Sequence, residues 1–397
     1  MIHICEPVIG DAERALVKEA LDANQLSGHG DMVSRFEQSF ASWLRAPHAV
    51  MTPNGTIALH LALAALGVGK GDAVILPAST ISCCLFPVTM LGAMPVIVDV
   101  DPVTWCMDIN QVAAALEKLR SLPKRPRKTV VMPVHLFGMP VNMPALHKLV
   151  NDCKGEMTVF IVEDCAEALG SKIRIGPHSK PLTHGQEIPW RVGNFGIMGC
   201  FSFFGNKTIT TGEGGMVVTP FKEVDLKLRF LRNNAYQRDP EDRWFASMQA
   251  YNYRPTNLAA AIGLGQMQSI GELIDARQDV VAYYRGKLPQ DFLTWQQAPA
   301  EWATPAWWMA VGLLPAGVSR RAFIEHMAEL GVETRPTFPS LADQPYIHST
   351  EYPHIVIGHE VAQDIWRRGV MLPTGAHLTR YQCDYIIECV LKSACFV

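Results

Sequence analysis

Between residues 48 and 202, short apolar runs alternate with helical stretches, and that alternation admits few architectures. Strands are predicted over 48–51, 73–76, 95–98, 129–133, 159–162 and 199–202. Helical spacing lies between them, as over 57–66, which is Ala/Leu-rich and ends at Gly67, and over 82–91. Strands separated by helices run mainly parallel, with helices covering both faces of the sheet. Sites in such sheets gather at the carboxyl ends of the strands. Here those ends are 52–56, 77–80, 133–138 and 164–167. Two amphipathic helices precede the sheet, over 11–23 and 33–44, the second with Phe36, Phe40 and Trp43 on one face.

Residues 73–98 carry no charge, yet Pro77, Pro87 and Pro95 interrupt them, together with Ser79, Thr80, Ser82 and Thr89. They read as a buried strand, helix and strand rather than a membrane span. Beyond the sheet, one long helix is predicted over 258–284. It divides the chain into a large unit over 1–265 and a unit over 266–397, made of that connecting helix and a small α+β domain. Residues 171–193 are rich in Gly, Pro, His and Lys and read as a hairpin or loop leaving the core, with His178 and His184 as surface histidines. The 35 basic and 38 acidic side chains leave a net charge of −3 and no long basic run, which argues against a nucleic-acid partner. Ten cysteines form no C-x-x-C pair, so a zinc or thioredoxin-type site is not expected, and no metal is assigned. With no signal-like N-terminus, reduced thiols and a cytoplasmic location are expected.

Three segments carry chemistry. Lys207 follows the aromatic run Phe201-Ser202-Phe203-Phe204 and precedes a glycine cluster. A buried lysine there can form an imine with an aldehyde, although a lone lysine after such a run is more often a surface residue. Asp164 ends the apolar strand over 159–162, with Glu163 between and Glu167 three residues on. An acid in that place needs a partner: a protonated pyridine nitrogen, a helix N-terminus or a metal. Asn54-Gly55-Thr56 opens a helix, where free amides and a hydroxyl can seat a phosphate, or simply cap the helix.

A phosphate seat, an acid and a lysine, in that order, resemble pyridoxal-5'-phosphate (PLP) enzymes of fold type I, the aspartate-aminotransferase fold. The segments T-P-N-G-T-I-A-L-H-L-A-L-A-A-L-G-V-G-K-G (52–71), V-E-D-C-A-E-A-L-G-S (162–171), F-S-F-F-G-N-K-T-I-T-T-G-E-G-G-M-V-V-T (201–219) and Y-N-Y-R-P-T-N-L-A-A-A-I-G-L-G-Q (251–266) are similar to the nucleotide-sugar aminotransferases of the DegT/DnrJ type. Within that family they look most like the GDP-perosamine synthase group, as does V-E-T-R-P-T-F (332–338). The resemblance implies a large domain with a mixed, mainly parallel sheet and a smaller C-terminal α+β domain. It implies PLP on Lys207, which also moves protons, with Asp164 at the pyridine nitrogen and Glu167 at the phenolic oxygen. Gly55, Thr56 and Ser202 match phosphate positions, and Asn252 matches one supplied by a neighbouring subunit, hence a homodimer, with pairing into a tetramer left open. Arg254 is a weaker candidate for an anionic group of a substrate, or an interface ion pair. Trp308, beside Trp307, lines a sugar site or belongs to the core. The implied reaction takes an amine from L-glutamate, releasing 2-oxoglutarate and leaving pyridoxamine phosphate, and gives it to a nucleotide-linked 4-keto-6-deoxy hexose for surface polysaccharide such as O-antigen. A PLP-dependent sugar dehydratase and a non-catalytic regulatory homologue are the alternatives. The dehydratases carry histidine at the lysine position, which disfavours the first. Ile81 stands where the family has an aromatic residue against the PLP face. The segment after Arg335 lacks the family's histidine.

Overall fold

The computed structural model describes residues 1–174, 190–236, 239, 241–242, 244–289, 291–348 and 353–394. His178 and His184, in the excursion expected over 171–193, lie outside them. Its two ends, Lys172–Ile173 and Trp190–Arg191, pair antiparallel.

The main sheet has eight strands in the order His48–Thr52, Gly215–Thr219, Met198–Ser202, Val159–Asp164, Thr129–Val131, Ala73–Pro77, Met94–Val98 and Ile355–Val356. Gly215–Thr219 runs against both of its neighbours, and the other pairs are parallel. This is the α/β, mixed and mainly parallel sheet that the alternation implies. All six strands expected from the apolar runs are present, within a few residues of their expected ends. The helix Gly55–Ala65 is buried all round from Ala58 to Leu63, as its Ala/Leu composition requires.

Two expectations change. The helix expected over 82–91 is a 3₁₀ turn, Ser82–Cys84, followed by a short helix, Phe86–Met90. Pro87 has no N–H to give to an earlier turn, so a single helix cannot run through it. The long helix expected over 258–284 is two helices, Asn257–Gln266 and Ile270–Lys287. A Cβ on Gly263 would stand 2.6 Å from the Phe36 ring, and one on Gly265 2.7 Å from the Glu13 amide. The first helix therefore lies flush on the two N-terminal helices, and the chain turns at Met267–Ser269 to leave that surface.

A second sheet of four antiparallel strands follows the order Thr294–Trp295, Ala310–Leu313, Gly369–Leu372 and Arg335–Pro336. The helices Arg320–Glu329 and Arg380–Ala394 accompany it, and Tyr284, Phe323, Met327 and Ile386 form its own core. Ile355–Val356 leaves this region and pairs with the edge of the main sheet.

The approach to Lys207 is held from behind. Phe36 and Phe40 pack on Phe201 and Phe203, with ring centroids 5.1–5.4 Å apart. All four rings are fully buried, each contributing about 2–3 kcal/mol of burial. The backbone then doubles back as Phe203 and Thr211 bond Gly214 and Phe203, and Lys207 N–H donates to the Phe204 carbonyl.

Candidate active site

A cavity of about 520 Å³ opens at the carboxyl ends of the parallel strands. Seven residues singled out in the sequence line it together: Gly55, Thr56, Ile81, Asp164, Glu167, Ser202 and Lys207. Trp308 lines it as well, from the C-terminal region. Asn252 and Arg254 do not. Asn252 is exposed and bridges Asn233 through its backbone, and the Arg254 guanidinium donates to Asn233 Oδ1 at 2.6 Å.

At one end Asn54 caps the helix Gly55–Ala65 by accepting from the Ile57 amide at 2.9 Å. A Cβ on Gly55 would stand 2.8 Å from Ser202 Cβ, so only glycine lets the helix start approach that strand. The result is a helix N-terminus, with the Gly55 and Thr56 amides ahead of the capped Ile57 amide, against a serine hydroxyl. That is the geometry of an anion seat.

Asp164 lies on the cavity wall, 3% exposed. Its Oδ1 accepts the Ala166 amide at 3.0 Å, and its Oδ2 accepts the Cys84 thiol at 3.0 Å. Burial, then the Asp164 charge, pushes the Cys84 thiol well up, so the sulfur keeps its proton to donate. Thr80 Oγ1 lies 3.2 Å from the same sulfur. Cys84 was not anticipated as a partner of Asp164. The sequence places them 80 residues apart, and only the adjacency of strand ends brings them together.

Glu167 accepts the Phe137 amide at 2.9 Å and stands 3.5 Å from Lys207 Nζ. Burial raises its pKa, and the Lys207 charge works against that rise. Phe137 presents its amide from a left-handed conformation, φ 56°. Lys207 Nζ also sits 3.8 Å from the centre of the Trp308 ring, a cation–π contact. Trp308 donates its indole N–H to the Asn206 carbonyl at 2.8 Å. The lysine is thus largely enclosed, between a carboxylate and an aromatic face. The cavity also reaches Arg335 and Phe338.

His135, Glu163 and Cys165 gather behind this wall, close enough to suggest a metal. The electron pairs of His135 and Glu163 are committed elsewhere. The Val141 amide donates to His135 Nδ1 at 3.0 Å, which leaves Nε2 to donate to Glu163 at 3.1 Å. Glu163 also accepts the amides of Gly193, Phe195 and Gly196. Burial opposes its ionisation, but His135 and these amides outweigh burial and hold its carboxyl below the usual range.

Among the described residues, no helix is long and apolar enough to cross a membrane. The model of the DegT/DnrJ/EryC1/StrS aminotransferase family matches residues 7–391. A protein of Caulobacter vibrioides named GDP-perosamine synthase is 36% identical over 97% of this chain and 96% of its own. A protein of the same name from Escherichia coli O157:H7 is 33% identical over 98% of this chain and 97% of its own. Among solved structures, the E. coli GDP-4-keto-6-deoxy-D-mannose-3-dehydratase with bound hydrated PLP superposes with a TM-score of 0.83. It is 23% identical and covers 98% of this chain and 99% of its own, a likeness of fold.

Proposed function

The chain belongs to the DegT/DnrJ/EryC1/StrS aminotransferase family, and from that premise we propose that it carries an amino group from L-glutamate to a keto sugar, a nucleotide-linked 4-keto-6-deoxy hexose. It is a PLP-dependent enzyme. The observation that carries the reading is Lys207 Nζ enclosed between Glu167 and Trp308, in one cavity with Asp164 and the Gly55–Ser202 contact.

These residues fit the cofactor. Gly55, Thr56 and Ser202 would hold its phosphate at the helix start. Asp164 would face its ring nitrogen, Glu167 its phenolic oxygen, and Ile81 would pack on the ring, all three lining the same cavity. When bound, PLP supplies an aldehyde for the lysine and a ring that accepts electrons from the carbon losing its proton. Lys207 Nζ would hold the cofactor covalently. The same amine would be the base that takes the proton from the donor carbon and the acid that returns a proton on the sugar side. Asp164, held in place by the Ala166 amide and the Cys84 thiol, would pair with the ring nitrogen. Trp308 excludes water beside Nζ and lines the sugar side. Asn252, exposed in this chain, reaches the phosphate of a second copy in a homodimer, and Arg254 meets an anionic group of a substrate there.

Residues 1–265 are the cofactor-binding unit, whose sheet takes its edge strand Ile355–Val356 from the smaller unit over 266–397. The enzyme works in the cytoplasm, in polysaccharide synthesis of the O-antigen kind. A lysine at position 207 favours transamination over sugar dehydration, although the fold serves both.

The test is a spectrum of the purified protein with PLP, before and after L-glutamate, beside a Lys207→Ala variant. The expected result is a visible band that glutamate bleaches and that the variant lacks. No band after added PLP overturns the cofactor reading. A band that ignores glutamate but answers another amino acid overturns the donor alone.

A further inference from the structure

Arg277, on the helix Ile270–Lys287, is 4% exposed. A buried guanidinium is costly unless its donors are met, and a carboxylate is the usual answer. Among the described residues its hydrogen-bond partners are instead backbone carbonyls and one sulfur. Nη2 donates to the Lys207 carbonyl at 2.9 Å, the Asn206 carbonyl at 3.3 Å and Cys5 Sγ at 3.3 Å. Nη1 donates to the Trp308 carbonyl at 2.8 Å and the Thr374 carbonyl at 3.4 Å.

Two of those segments are the two sides of one contact. Lys207 Nζ rests on the Trp308 ring, and Arg277 grips the backbone beneath both the lysine and the ring. Trp308 closes the loop by donating its own indole N–H to Asn206, whose carbonyl Arg277 also holds. The planar fork spans carbonyls from separate segments at once, which a lysine's single ammonium cannot do in the same geometry.

We propose that Arg277 is a positioning residue: it fixes the backbone of Asn206, Lys207 and Trp308 and thereby sets where the Lys207 amine stands in the cavity. This rests on the reading of Lys207 as the cofactor lysine. Arg277 does not line the cavity, and it acts through the lysine it aims.

The experiment compares full-length wild type, Arg277→Lys and Arg277→Met, each incubated with PLP and trapped at intervals with borohydride. The rate of modification at Lys207 is read by peptide mass, and the pH dependence of the visible band is recorded beside it. Trapping is expected to slow roughly 10- to 100-fold in both variants, because an amine misplaced by about an ångström reacts that much less often. The pH midpoint of the band should move as well, and glutamate turnover should fall in kcat more than it rises in KM. Arg277→Lys keeps the charge, so its failure to restore the rate assigns the role to the fork. Should Arg277→Met not fold, the lysine variant decides. A folded variant with wild-type trapping rate and band midpoint, changed only in melting temperature, overturns the proposal. Wild type that traps nothing at Lys207 overturns the reading of the lysine, and the role of Arg277 with it.

Discussion

Glu163 and Asp164 are adjacent on one strand and both buried, yet they belong to different parts of the protein. Successive strand residues point to opposite faces. Glu163 turns inward and is saturated by three amides and His135. Asp164 turns to the cavity and takes one amide and one thiol. Each carboxylate oxygen has two lone pairs, so Asp164 retains capacity that the protein does not use. Saturation marks a structural acid, and spare capacity at a cavity wall marks a functional one.

The contrast can be broken most directly by removing each charge. Glu163→Gln puts an NH₂ among donors that need an acceptor, and should cost about 3–5 kcal/mol in stability, measured by denaturant unfolding of the cofactor-free protein. Asp164→Asn should change stability by only about 1 kcal/mol while lowering turnover about 100-fold or more, which is about 2.7 kcal/mol of transition-state stabilisation. If the two variants exchange these phenotypes, the distinction fails.

A smaller effect sharpens the Asp164 side. Cys84→Ala removes the thiol donor and should cost about 1–2 kcal/mol in stability, with weaker PLP retention than in Cys84→Ser, which keeps a donor. Equal retention in the two variants would show that the thiol contributes only packing. The smallest effect concerns Glu167, whose pKa burial raises above the ordinary value of 4.5. The folded protein then holds that proton more tightly than the unfolded chain. This stability is present in full below pH 4.5 and is lost as pH rises through the raised value. Glu167→Gln should therefore gain on wild type as pH climbs through that window, read from paired melting curves without cofactor. A difference independent of pH would mean that the carboxyl does not titrate there.

The sequence made the sheet and much of the cavity legible because both follow from local pattern. Strand ends can be located from apolar runs, and Gly55, Thr56, Asp164, Ser202 and Lys207 sit at or just beyond those ends. What stayed hidden depends on contacts distant in the chain. Gly215–Thr219 was not anticipated as a strand, and its antiparallel insertion is set by pairing with His48–Thr52 and Met198–Ser202. Cys84 against Asp164 and Arg277 beneath Lys207 join segments that no periodicity connects. The break at Met267–Ser269 escaped notice because Gly263 and Gly265 look like weak helix formers, whereas their role is close approach to Phe36 and Glu13.

The pairing of Ile355–Val356 with Met94–Val98 also bears on how the molecule is made. During synthesis, the edge of Met94–Val98 waits for a partner that emerges about 250 residues later, some tens of seconds at ordinary translation rates. For that interval a growing chain shows a wholly apolar strand with one edge unpaired, the kind of edge that recruits other chains. A product that stops short of Ile355 would carry that open edge permanently, and its yield would depend on the chaperones that shield it.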